Sequence, residues 1–191
     1  MTAHTSKIRC FIALPTSEEV RKQIAAVQRR LVETQAEVKW DAPEKFHITL
    51  KFLGNVETSV ADLLGEALEH RVSSIPPFDI EYANTGAFPN ELHPNVLWIG
   101  AHADENILRV NTLVEDVCSE FGFTKEQRSF HPHITLGRVK GGRNLRRLTE
   151  ELKSITFEPI RSRCSHILLV KSDLKPTGSV YTTLKSIPFK P

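Results

Sequence analysis

The sequence predicts an α+β protein with two similar halves, and three observations carry that prediction. Segments rich in β-branched and aromatic residues alternate with amphipathic segments of helical period. Gly, Pro and Asn punctuate them, without a low-complexity stretch or linker. The tetrapeptide His-Ile-Thr-Leu occurs twice, at 47–50 and 133–136, each time in a strand-like run. A chain of 191 residues suits one domain with a real core, or two small lobes sharing a cleft. We read 1–191 as a single domain.

The elements follow in order. Lys7–Leu14 is a short apolar strand ended by Pro15. Thr16 or Ser17 caps a helix with Glu18 and Glu19 in its first turn and Val20, Ile24, Val27 and Leu31 on one side. Val38–Trp40 is a short strand broken by Pro43, and Phe46–Leu53 is a strand ended by Gly54-Asn55. A helix near Thr58–Arg71 stops before Pro76-Pro77. Phe78–Thr85 and Val96–Ala101 are strands, and a third helix covers about Asp104–Phe121 with Gly122 as its stop. His133–Val139 is a strand, Leu145–Lys153 a short basic helix, and Ser165–Val170 and Val180–Ile187 are strands by content. Pairing order is not readable from these patterns.

Composition excludes several function classes. Hydrophobic content is 40% and charged content 25%, ordinary for a soluble globular protein. No apolar run is long enough to cross a bilayer, so no membrane association is expected. Met1–Arg9 lacks the apolar core of an export signal, which predicts a cytoplasmic protein. Cys10, Cys118 and Cys164 form no CxxC pair, so they read as reduced thiols, neither zinc ligands nor nucleophiles. Residues 1–120 hold 11 basic and 18 acidic side chains, whereas 121–191 hold 14 and 5. That bias suggests a side that meets a polyanion, or merely a solvated basic face.

The repeat carries the chemistry. Side chains alternate along a strand, so His47 and Thr49 share one face while Ile48 and Leu50 take the other. The same holds for His133 and Thr135 against Ile134 and Leu136. Each copy anchors itself by two apolar residues and presents an imidazole beside a hydroxyl. Were the halves related by a pseudo-two-fold axis, two imidazoles and two hydroxyls would share one cleft. In-line displacement at phosphorus needs a base on one side and an acid on the other. Two histidines can fill both roles near neutral pH. Threonine hydroxyls can donate to the non-bridging oxygens.

The pair His47-Ile-Thr49-Leu and His133-Ile-Thr135-Leu resembles the two His-x-Thr-x motifs of the 2H phosphoesterase superfamily. Phe11-Ile-Ala-Leu-Pro15, Leu50-Lys-Phe-Leu-Gly54, Val96-Leu-Trp-Ile-Gly100 and Phe130-His-Pro-His133 narrow the resemblance to the RNA 2′,3′-cyclic phosphodiesterases, also called the 2′-5′ RNA ligase family. It spans roughly Arg9–Phe189 and is vague over 140–165. The resemblance implies two pseudo-symmetric lobes of antiparallel sheet with outer helices around a central cleft. It also implies hydrolysis of an RNA terminal 2′,3′-cyclic phosphate to a 2′-phosphomonoester, without a metal or other cofactor. His47 would then be the proton donor and His133 the acceptor, with Thr49 and Thr135 holding the phosphate.

Further candidates surround the motifs. Arg138 falls on the core face by strict alternation, but a bulge at Gly137 would re-phase the strand. The family often carries a basic residue there, which favours a phosphate or RNA contact. Lys51 shares the face of His47 by alternation and either touches substrate or is a surface lysine. Trp98 could stack on a base, although a strand tryptophan more often packs in a core. Phe46 and Phe130 flank the motifs and either line the cleft or pack. His131 and His133 superficially suggest a metal pair, but no carboxylate or cysteine nearby completes a ligand set. No Gly-x-x-x-x-Gly-Lys-Ser/Thr loop is present, which argues against an ATP-driven ligase; the family's ligation would be cyclic-phosphate opening in reverse. The alternatives are a phosphodiesterase on another cyclic phosphate or a 2′-5′-linked oligonucleotide, and a non-catalytic RNA-binding module using the basic C-terminal third. We expect a monomer whose partner is RNA bearing a 2′,3′-cyclic phosphate end.

Overall fold

The computed structural model describes residues 6–176 and 178–190. The elements run β1 (Lys7–Pro15), α1 (Glu18–Val32), β2 (Val38–Trp40), β3 (His47–Glu57), α2 (Thr58–Val72), β4 (Phe78–Phe88), β5 (Val96–Ala101), α3 (Glu105–Glu120), β6 (His133–Val139), α4 (Leu145–Ser154), β7 (Ile160–Cys164), β8 (His166–Lys175) and β9 (Gly178–Pro188). Ser17 caps α1, its Oγ accepting the Val20 N–H at 3.3 Å. Asp104 caps α3 in the same way, accepting from the Ile107 N–H at 2.9 Å.

Three strands run beyond the ends expected from the sequence, and one strand was not foreseen. β3 passes through Gly54 to Glu57, because β1 continues to pair with it: Arg9 lies opposite Asn55 and Lys7 opposite Glu57. β4 likewise extends to Phe88, held by β5 through Phe88 opposite Val96. β8 continues past Val170 to Lys175, held by β9 through Lys175 opposite Gly178. The strand not foreseen is β7, whose alternation is masked by Arg161 and Arg163. It pairs only with β4, so its outer side is free to carry charge.

The strands form one sheet in the order β7-β4-β5-β6-β3-β1-β8-β9, with β2 added beside β6. Its middle is the antiparallel contact between β3 and β6, where Ile48 faces Ile134. These are the second residues of the two tetrapeptides, so a pseudo-two-fold axis passes between them. Each motif strand has an equivalent neighbour, β1 beside β3 and β5 beside β6. The halves are interleaved: β4 follows α2 but pairs with β5, and β8 follows α4 but pairs with β1. The two sides of the sheet therefore do not correspond to the two halves of the sequence.

The four helices bury Val20, Ile24, Leu64, Leu68, Val110, Val114, Leu148 and Leu152 in one cluster with Ile48, Leu50, Ile134 and Leu136. The apolar residues of both motifs thus anchor the sheet to its helices, leaving the opposite face to His47 and His133. Part of the charge asymmetry is internal. Late basic residues pair with early acidic ones, as in Arg161–Glu81, Arg163–Asp79 and Lys185–Glu69.

Candidate active site

The open face of the sheet floors a cleft of about 890 Å³, and both motifs line it through His47, Thr49, His133 and Thr135. With Ile48 opposite Ile134, the antiparallel register sets His47 across from Thr135 and Thr49 across from His133. The two imidazoles occupy opposite corners of this arrangement.

Each histidine is oriented in the same way. His47 Nδ1 meets the Lys45 carbonyl at 2.5 Å, and His133 Nδ1 meets the His131 carbonyl at 2.7 Å. A carbonyl can only accept, so Nδ1 carries the proton in both rings. Nε2 is then the atom that gains and loses the mobile proton. His47 Nε2 lies 3.1 Å from Thr49 Oγ1, which can donate to it when the ring is neutral. Burial pushes the pKa of His47 below its ordinary value, against the opposing Lys45 carbonyl, and the facing His133 lowers it further. Burial also depresses His133, the His131 carbonyl partly opposing, with smaller contributions from His131 and Arg138.

The surroundings of the rings differ. Phe11 stacks on His47 with centroids 4.8 Å apart, and Tyr181 meets it edge-on at 5.6 Å. Phe88 meets His133 edge-on at 4.9 Å, backed by Trp98 and His131. Tyr181 arrives from β9, three strands from β3 in sheet order, so the sheet must curl to bring it over His47.

A bulge in each motif strand decides where the next residues point. In β3, Thr49 pairs with Ala13 and Lys51 with Ile12, leaving Leu50 unpaired. In β6, Thr135 pairs with Trp98 and Gly137 with Leu97, leaving Leu136 unpaired. The fourth residue of each tetrapeptide is thus the extra residue, and the phase shifts by one. Gly137 sits where a Cβ would stand 2.9 Å from the Trp40 ring and 3.0 Å from the Lys39 carbonyl. Arg138 consequently lines the cleft, where the phosphate or RNA contact expected of it would have to be made.

Lys51 is among the residues that line the cleft, but at its margin and turned away from His47, which corrects the alternation argument. It lies opposite fully buried Ile12, is 9% exposed, and donates to Glu115 Oε2 and to the Thr124 carbonyl, each at 2.7 Å. Its ammonium is committed to these partners at the margin of the cleft. Phe46 is also corrected: it is 3% exposed and belongs to the core, its carbonyl accepting from buried Thr16. Trp98 is half-buried beneath Phe88 and His131, its ring close over Gly86, where a Cβ would collide with it. It supports His133 and does not line the cleft. Phe130 does line it.

The expected basic tract divides. Arg138 and Lys140 line the cleft, but Arg143 borders a separate hollow beside Trp40, and Arg146 pairs with Glu150 at 3.5 Å. In exchange, Arg9, Lys39, Lys45 and Asp41 join the cleft, as do Phe52 and Tyr181. Of these, Lys39 faces Arg138 across the β2–β6 pair, a contact that no local pattern announces. The cysteines are buried and unpaired, with desolvation raising Cys118 to about 12 and Cys164 to about 11. Neither is a nucleophile at neutral pH.

An antiparallel sheet with interleaved halves, helices behind it and paired His-x-Thr motifs in front defines a phosphoesterase of the 2H class. Within that class the chain belongs to the 2′-5′ RNA ligase superfamily, whose profile matches residues 14–176. An RNA 2′,3′-cyclic phosphodiesterase of Methanothermobacter thermautotrophicus is 32% identical over 180 residues, covering 94% of this chain and 97% of the relative. One from Aeropyrum pernix is 36% identical over 169 residues, covering 86% and 94%. A crystal structure of a Thermus thermophilus protein superposes with a TM-score of 0.78 at 29% identity, covering 96% and 98%. E. coli LigT, crystallised with 3′-AMP, superposes with a TM-score of 0.76 at 21% identity, covering 96% and 99%, a likeness of fold. No helix among the described residues is long and apolar enough to cross a membrane.

Proposed function

We propose that the chain is an RNA 2′,3′-cyclic phosphodiesterase that opens the terminal cyclic phosphate to a 2′-phosphomonoester without a metal. The observation that carries this reading is the shared orientation of the histidines. Both hold Nδ1 on a backbone carbonyl two residues upstream, which frees both Nε2 atoms for proton transfer beside one phosphate.

His133 Nε2 removes a proton from the attacking water as the new P–O bond forms. His47 Nε2 donates a proton to the 3′ oxygen as the P–O3′ bond breaks. The pair ends with the proton transferred from His47 to His133, and exchange with solvent restores it. Thr49 and Thr135 donate to the non-bridging oxygens, and Arg138 offsets their charge. An RNA 5′-hydroxyl in place of water forms a 2′-5′ linkage by the same path, needing no ATP.

The test is product analysis on an oligonucleotide ending in a 2′,3′-cyclic phosphate, with EDTA present. A 2′-phosphate is expected; no turnover, or turnover abolished by EDTA, overturns the reading. Replacing the 3′ oxygen by sulfur separates the roles, because a thiolate leaves without protonation. His47→Ala should be rescued on that substrate and His133→Ala should not. Rescue of His133→Ala alone reverses the assignment.

A further inference from the structure

The two motif bulges leave backbone carbonyls that the motif strands cannot satisfy between themselves. Continuing the antiparallel register through Ile48 and Ile134 sets Leu50 opposite Pro132 and Leu136 opposite Phe46. Pro132 has no N–H. The Phe46 N–H is donated to the Pro43 carbonyl. Neither bulge carbonyl can therefore be met by the residue facing it. Each is met instead by a side-chain amide from a helix behind the sheet. Gln28 Nε2 of α1 donates to the Leu136 carbonyl at 2.8 Å, and Asn111 Nδ2 of α3 donates to the Leu50 carbonyl at 3.2 Å. The two helices occupy equivalent places in the chain, α1 between β1 and β3 and α3 between β5 and β6. Their amides are exchanged: α1 leads into β3 but holds the bulge of β6, and α3 leads into β6 but holds the bulge of β3.

Gln28 shows the arrangement most clearly. It is 7% exposed beside the buried Ile24, Ala25 and Leu31 of its helix. Its second amide hydrogen goes to the Asp41 carbonyl at 2.7 Å, and the Asp41 N–H also reaches the Leu136 carbonyl, at 2.9 Å. A buried primary amide costs free energy that an apolar side chain would not. Here both hydrogens are spent where β2 ends and where β6 changes phase. Beyond the bulges, Phe52 in β3 and Arg138 in β6 hold equivalent positions and line the cleft. Strict alternation would turn Arg138 into the core, so its place in the cleft depends on the bulge that Gln28 holds. We propose that Gln28 and Asn111 are positioning residues for the reaction. Each fixes the motif bulge of the opposite half, Gln28 keeping Arg138 turned toward the phosphate and Asn111 keeping Thr49 so. Both act through the backbone. This rests on the phosphodiesterase reading above.

The test is a double-variant cycle on kcat/KM for adenosine 2′,3′-cyclic phosphate. Gln28→Met keeps the length of the side chain and removes the donor. It should lower kcat/KM on the order of 10-fold in the otherwise unaltered protein and by less than about 2-fold in the Arg138→Ala background. A purely structural role lowers the melting temperature and acts equally in both backgrounds. Equal losses, or no loss, overturn the proposal for Gln28 while leaving the phosphodiesterase reading intact. Asn111→Ala, at a half-buried residue, runs the same cycle against Thr49→Ala and decides the matter should Gln28→Met not fold. Were wild-type protein not to open the cyclic phosphate, the phosphodiesterase reading would fall. The cycle would then be read on calorimetric binding of adenosine 2′-phosphate. A loss from Gln28→Met that vanishes without Arg138 supports the positioning role; a loss independent of Arg138, or no binding by wild-type protein, overturns it.

Discussion

Lys51→Met removes one member of the Lys51–Glu115 pair and leaves a carboxylate 13% exposed beside the cleft. Stranding one charge of a buried pair costs about 3–5 kcal/mol. Glu115 retains the Glu126 N–H at 3.2 Å and some access to water, which places the loss near the lower end, about 3 kcal/mol. For a domain of this size that lowers Tm by roughly 6–12 °C. Urea unfolding should show the same loss as a shift in midpoint at constant slope. Lys51→Met with Glu115→Leu removes both charges and should recover most of the loss. A deficit below about 0.5 kcal/mol for Lys51→Met would mean that the pair behaves as an exposed salt bridge. A double variant no more stable than the single one would refute the electrostatic reasoning and assign the cost to packing.

Thr49→Ala and Thr135→Ala should fold normally and each lose on the order of 100-fold in kcat, with serine restoring most of it; equal loss with serine would make the methyl group responsible. Neutralising Arg138 and Lys140 should flatten the dependence of log affinity for single-stranded RNA on log salt, by about 0.7 for each phosphate neutralisation removed. Arg146→Met, at a residue already paired with Glu150, should leave that slope unaltered. The pH profile of kcat/KM should be bell-shaped. With the proposed roles, activity should fall with rising pH as His47 loses its proton and with falling pH as His133 gains one. Both pKa values lie below the ordinary 6.5, so the optimum should fall on the acid side of 6.5. An optimum above about pH 7.5 would contradict these roles or the burial that depresses both rings.

The motif histidines and threonines were legible because a repeated tetrapeptide fixes both the residues and their shared face. The helices were legible from caps and apolar stripes that act within a few residues. What local pattern could not supply was phase and curvature. Strict alternation turned Lys51 toward the substrate, and the Leu50 bulge reverses it. The same rule turned Arg138 inward, and the Leu136 bulge brings it out. Both bulges are set by pairing with a strand elsewhere in the chain; Gly137 hints at the second from within its own segment, and nothing around Leu50 hints at the first. Tyr181 depends on the curl of the whole sheet, and Phe46 is drawn into the core by packing that a motif's flank does not encode.

Symmetry of scaffold with asymmetry of chemistry is the economical solution for this reaction. In the proposed mechanism the two Nε2 atoms lie on opposite sides of one phosphorus, an arrangement that a two-fold axis through the Ile48–Ile134 contact would supply without separate design of each side. An acid and a base nevertheless differ at every moment of turnover, as do a nucleoside and a water. The difference cannot come from the rings, whose Nδ1 anchors are the same. It has to come from what surrounds them. Phe11 and Tyr181 flank His47, with Lys45 over the Tyr181 ring, whereas Phe88 flanks His133. Exchanging Phe52 and Arg138 in one double variant would leave the imidazoles and their anchors in place. If the surroundings assign the roles, that variant should lose kcat/KM on the cyclic phosphate while keeping both histidines titratable. A retained kcat/KM would mean that the roles are fixed elsewhere in the cleft.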